Sequence, residues 1–256
     1  MKAGEVVFQH LLNGKIQYRV PLFQRTYSWE EENWQRLWDD ILEVYALEHP
    51  RNHFMGAVVT LPMQDAPEHT NKFMLIDGQQ RLTSLFLLLA VIRSEADAAG
   101  QDELADQIRE ECLINKFAKK SDERYKMQPT QRDLFAFVDA LEGNTPASDS
   151  QIGRAYAFFK AALAKGDLNG KPIEVSKLKS CVTDYLDLVS ITLEETDSPH
   201  RIFESLNNTG MALTASDLVR NHIFMQIPDE AELNRAYKSY WLPMHSKMER
   251  PEGKSY

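Results

Sequence analysis

"MLIDGQQRLTSLFLLLAVIR", residues 74–93, decides how this chain folds. Met74, Leu75 and Ile76 form a short apolar run that reads as the end of a strand. Asp77, Gly78, Gln79, Gln80 and Arg81 interrupt it with polar groups and a glycine. From Leu82 to Ile92 the residues are apolar on nearly every helical face. A helix that is apolar all round belongs at the centre of a fold. The stretch therefore predicts strand, tight turn and central buried helix over about 78–95.

The polar junction has two readings. In the first it is a cap: Asp77 as N-cap, Gln80 three residues on as its partner, and Gly78 for a tight turn. In the second it receives an anion. A helix N-terminus already carries partial positive charge, and Arg81 adds to it where an acidic residue is usual. A bound phosphate reverses the sign, because backbone N–H groups, dipole and guanidinium then converge on one negative group. Gln79 and Gln80 can donate to a phosphate without repelling it.

The neighbouring segments supply a sheet for this helix. "IQYRV" (16–20) alternates like a half-buried strand and stops at Pro21. Ser28 and Glu31 have capping-box spacing, which places a helix start near Trp29, with Trp34, Leu37, Trp38, Ile41 and Tyr45 on one face. "HFMGAVVTLP" (53–62) and "KFMLI" (72–76) read as a hairpin. Residues 101–165 are mostly helical in pattern, with a short strand expected inside "NKFAKKSDERYKMQPT". Loops fall at 143–150 and 166–172. A strand within 185–195 is expected to return to the first sheet, and the chain from Pro199 reads as broken helix. The class is α+β: a small mixed sheet with a central buried helix over 1–98, joined by a strand near 186–194, and a mostly helical part over 99–256.

Composition narrows the chemistry. The 256 residues carry a formal net charge of −9, which argues against non-specific coating of nucleic acid but leaves room for a local basic groove. Cys112 and Cys181 give neither metal spacing nor a disulfide framework. The start of the chain has no signal-like apolar run, and Leu85–Ile92 is too short for a membrane span, so a cytoplasmic location is expected. "GDLNGKP" (166–172) resembles a Walker A loop, but its glycine spacing is one residue short and Pro172 stands where Ser or Thr is needed. The histidines show no ligand spacing.

A second glutamine–arginine pair, Gln24 and Arg25, sits in a loop with Phe23, Tyr27 and Trp29. Amide and cation interleaved with aromatics suit a phosphate plus a stackable base. The plainer reading is a surface loop whose aromatics are core. Further on, Thr214 and Asp217 have cap spacing, and Asn207, Asn208 and Gly210 suit a turn. Arg220 can pair with Asp217 at i,i+3. Alternatively Asn207, Asp217 and Arg220 line the mouth of a nucleotide pocket.

Four stretches, "VPLFQRTYSWEEENWQRLWDDI", "HFMGAVVTL", "LIDGQQRLTSL" and "RIFESLNNTGMALTASDLVRNHIF", occur in this order. Together they resemble the N-terminal domain family of GmrSD-type restriction endonucleases, over roughly 5–245. The resemblance implies a ParB/sulfiredoxin-like fold and an NTP-binding, NTP-hydrolysing module that works with Mg²⁺. It also implies phage defence against modified DNA, alongside an HNH-type nuclease domain. By the same resemblance Asp77, Gln80 and Arg81 are the catalytic set. Gln24, Arg25, Gly78, Gln79, Thr83, Asn207 and Arg220 are the nucleotide-binding set, with Gly210 and Asn221 in the later motif. From the residues themselves, Phe23, Tyr27 and Trp29 are the expected base or DNA contacts, and Asp77 and Asp217 are the candidate carboxylates for a metal ion at the phosphates. No His-containing nuclease signature is present, so DNA cutting is not expected of this chain alone. The chain is expected to be the front part of a longer nuclease or to serve a separate one. The alternative reading is a DNA-binding module that senses modified DNA without hydrolysing NTP.

Overall fold

The structure is a computed structural model. It describes residues 1–63, 70–194, 197, 220, 223–224, 226–227 and 230–244. In chain order the elements are β1 (Lys2–Val7), α1 (Phe8–Leu12), β2 (Ile16–Arg19), α2 (Glu31–Ala46), β3 (His53–Pro62), β4 (Asn71–Asp77) and α3 (Gln79–Ala98). Then come α4 (Asp102–Gln107), a π-helical turn (Ile108–Leu113), β5 (Met127–Gln128), α5 (Gln131–Glu142), α6 (Gln151–Lys165), α7 (Val175–Asp184) and β6 (Leu186–Thr192). A last helix, α8 (Glu230–Ala236), runs into a π-helical turn at Tyr237–Trp241.

The strands form one mixed six-stranded sheet in the order β1-β6-β3-β4-β2-β5. The expected hairpin is present, with β3 antiparallel to β4. The returning strand is β6, parallel to β3 and antiparallel to β1. The short strand in the charged middle segment is β5, parallel to β2 at Tyr18–Met127. The α+β class with a mixed sheet thus holds. β1 and α1 had no counterpart in the sequence reading. β1 is exposed along most of its length, so it has no apolar alternation to read; pairing with β6 defines it.

Helix α3 is the centre of the fold. Leu82 and Leu85–Ile92 are completely buried. Burial on all sides needs a neighbour on every side, and α4, α5, α6 and α7 supply them. This is why the chain does not divide at residue 98. One compact unit is Met1–Pro21 with Thr26–Asp197, and the other is Leu22–Arg25 with Ser198–Tyr256.

Two helix starts differ from the sequence reading. Helix α2 begins at Glu31, with Glu30 as N-cap, and Asn33 Oδ1 accepts the Glu30 N–H at 3.1 Å to close the capping box. Ser28 lies two residues ahead of that cap, in a segment whose Ser28 and Trp29 N–H groups both donate to Gln80 Oε1, at 2.7 and 3.2 Å. The N-cap of helix α3 is Gly78, in the left-handed region at φ 91° and without a side chain of its own. Asp77 is held extended as the last residue of β4, opposite Val59. The N-cap position thus falls one residue later than Asp77, and the Gln80 side chain is committed to Thr26, Ser28 and Trp29.

Candidate functional site

The start of α3 is shaped by two irregularities in the strands beside it. Between Phe54 and Ala57, β3 advances three residues while β6 advances two, from Asp187 to Val189. The extra residue is accommodated at Gly56, where φ is 102°. In β4, Leu75 pairs with Thr60 but Asp77 with Val59, so Ile76 is a second extra residue. These bulges bring the β3 backbone under the turn at Gly78. A Cβ on Gly78 would lie 3.1 Å from the Ala57 carbonyl oxygen and 3.1 Å from Val58 Cγ2. Glycine is needed there for both its dihedral and its space.

Arg81 folds back over this platform. Its Nη1 donates to the Ala57 carbonyl at 2.7 Å. A Cβ at residue 56 would stand 2.8 Å from Arg81 Nη2 and 3.0 Å from Cζ. The guanidinium therefore lies flat against the bulge glycine. It carries five N–H donors. Among the described residues it forms one hydrogen bond, the one to Ala57. Burial lowers its pKa, and the negative charge of Asp77 opposes that shift. It stays cationic at any physiological pH.

Gln80 points the other way, into the segment ahead of α2. Its Nε2 donates to the Thr26 carbonyl at 3.1 Å, while its Oε1 takes the two N–H groups of Ser28 and Trp29. Next to it runs a buried hydroxyl chain. Ser84 Oγ donates to the Gln80 carbonyl at 2.9 Å, so the Tyr27 hydroxyl must donate to Ser84 Oγ, 2.6 Å away. Trp34 Nε1 in turn donates to the Tyr27 oxygen at 2.7 Å. Burial pushes the Tyr27 hydroxyl well above its ordinary pKa, which keeps it a neutral donor. Such chains polarise one another and tie the irregular strap Thr26–Trp29 to the helix.

A family model described as GmrSD restriction endonuclease, N-terminal domain, matches residues 8–224. The chain belongs to this family. The match begins at α1 and takes in β2–β6 and α1–α7. No curated protein matches the chain. Family membership places it in a restriction system. No helix among the described residues is long and apolar enough to cross a membrane.

Within this GmrSD N-terminal domain, Asp77–Arg81 stand together at the strand-to-helix turn, as expected from the sequence. Thr83 is buried and its hydroxyl donates to the Gln79 carbonyl at 2.7 Å, one turn back. Tyr27 is buried with its hydroxyl engaged, whereas Trp29 keeps partial exposure while packing on the core. In the second unit, Phe23 is buried and stacks on Phe224, with centroids 6.2 Å apart and planes 7° apart. Phe224 also meets Tyr237 and Trp241 edge-on, which makes Phe23 part of that unit's aromatic core. Gln24 and Arg220 are buried and Arg25 is partly exposed. Asn207, Gly210, Asp217 and Asn221 lie outside the described residues.

The sequence reading missed three residues at this site: Gly56, Asp133 and Gln151. Gly56 carried a signal, since glycine inside a strand pattern marks a bulge or a close approach. Asp133 and Gln151 carried none, because each reaches the strap from a helix more than 100 residues away in sequence. Among the described residues no cluster of three His, Cys, Asp or Glu side chains could hold a metal ion. Burial pushes the Cys181 thiol up to about 11 and Cys112 up to about 12, so neither is a nucleophile at neutral pH.

Proposed function

We propose that this chain binds a nucleoside triphosphate at the start of α3 and hydrolyses it to control a nuclease of the HNH type. The observation that carries the reading is Arg81: a largely desolvated cation, one hydrogen bond spent on Ala57, in the first turn of a helix whose N-cap is a glycine. Such a helix end attracts anions, and a planar guanidinium suits phosphate oxygens.

Hydrolysis on this reading proceeds by positioning and charge neutralisation, without a covalent intermediate. Arg81 and the first-turn N–H groups hold the phosphates. Gln80 keeps the turn in place through the strap. Asp77 supplies one carboxylate. A Mg²⁺ ion brought in with the triphosphate would have Asp77 as its protein ligand in this unit. It would supply charge neutralisation at the phosphates. Of the aromatics in the first motif, Trp29 keeps exposed surface for a base or for DNA.

Release of inorganic phosphate from each of the four NTPs, with and without modified DNA, tests this reading. The expected result is Mg²⁺-dependent release that disappears in Arg81→Ala. DNA binding with a steep salt dependence and no nucleotide affinity would replace it with the DNA-sensing module.

A further inference from the structure

The strap Thr26–Trp29 is irregular, yet five of its backbone groups are held by side chains from three helices. Gln80 on α3 takes the Thr26 carbonyl and the Ser28 and Trp29 N–H groups. Asp133 on α5 accepts the Tyr27 N–H at 2.8 Å. Gln151, the first residue of α6, donates to the Trp29 carbonyl. A loop that merely joined β2 to α2 would satisfy its backbone with water at the surface. Here a carboxylate only 9% exposed is committed to the task. Its Oδ2 is steadied by the Thr130 hydroxyl at 2.8 Å. Burying a charge to fix a loop is costly, and such expense is typical of segments that hold a functional group in place.

We propose that Asp133 and Gln151 are positioning residues for the anion site: by fixing the strap they fix Gln80, and with it the first turn of α3 that presents Arg81. First turns of helices fray, and Gly78, the N-cap of α3, has no side chain of its own to hold this one. The strap does that work from outside the helix. Gln80 and Arg81 are adjacent, so a loosened Gln80 displaces the guanidinium from the geometry a phosphate requires, where tolerances are about 0.5 Å. The proposal rests on the reading that the start of α3 binds a triphosphate.

Calorimetric titration of the full chain with inorganic tripolyphosphate and Mg²⁺ tests it, run well below the unfolding temperature of every variant. Asp133→Ala and Gln151→Ala should each weaken affinity by about tenfold. Asp133→Asn should recover most of the loss, because its Oδ1 still accepts the Tyr27 N–H. In an Arg81→Lys background, which keeps part of the affinity, Asp133→Ala should cost much less than in the wild-type chain, a coupling that a purely structural role would not produce. If Asp133→Ala fails to fold, Gln151→Ala and Asp133→Asn carry the comparison. Wild-type binding that is undiminished in the strap variants overturns this proposal alone. No binding by the wild-type chain overturns the anion site, and this proposal with it.

Discussion

Arg81 and Gly56 are fitted to one another: the guanidinium rests where a β-carbon on residue 56 would stand, 2.8 Å from Nη2. Gly56→Ala should therefore do two things. At φ 102° an alanine is strained, which should cost on the order of 1–2 kcal/mol in urea unfolding. It should also push the guanidinium off the Ala57 carbonyl and weaken triphosphate affinity more than the stability loss alone explains. Unchanged affinity in a folded Gly56→Ala protein would show that the seat of Arg81 does not matter for binding.

Arg81→Ala should abolish NTP binding while the fold stays intact, because the side chain forms a single hydrogen bond among the described residues. Arg81→Lys should restore part of the affinity. Lysine keeps the charge but not the planar, bidentate geometry. Circular dichroism and calorimetry on the same samples separate the two effects.

Gln80→Ala should cost stability. It removes the acceptor for the Ser28 and Trp29 N–H groups and the donor for Thr26, at about 2–3 kcal/mol in all. Amide exchange should quicken at residues 28 and 29 and remain slow in the middle of α3. Exchange that stays slow at the strap would mean that other contacts hold it.

Two buried carboxylates should shape the pH dependence of stability in opposite directions. Burial raises the Glu123 pKa, but the Lys72 ammonium at 3.1 Å and hydrogen bonds from Thr70 together outweigh it, so the net shift is down. Its contribution is present above the ordinary carboxylate pKa of about 4.3 and is lost as pH falls through the lowered value. Glu123→Gln should remove that acid-side loss from a series of unfolding curves. Asp133 is shifted up by burial, against the pull of the Tyr27 N–H. Its contribution is present below the ordinary Asp range and fades as pH rises through the folded value.

Much of the frame could be read from residue patterns because it depends on local periodicity. The run Leu82–Ile92 announces a buried helix, and β3, β4 and β6 appear where apolar runs meet turn residues. The polar junction could be located but not interpreted in full. Asp77 and Gln80 have cap spacing, yet β4 pairing holds Asp77 extended and Gln80 serves a segment 52 residues away. The Ser28–Glu31 box was likewise set aside once Gln80 claimed the Ser28 N–H. Spacing reports which bonds are possible; competition among distant partners decides which form.

By itself, the order of residues determined a central helix, the strands that feed it, and a polar turn that sets an arginine in the helix's first turn. Those properties follow from periodicity and charge within a few residues. Only the folded chain decided that Gly56 makes the seat for Arg81, and that Asp133 and Gln151 reach the strap from the helical layer. Such contacts depend on bulges and backbone geometry that bring together residues far apart in sequence, and no short-range pattern encodes them.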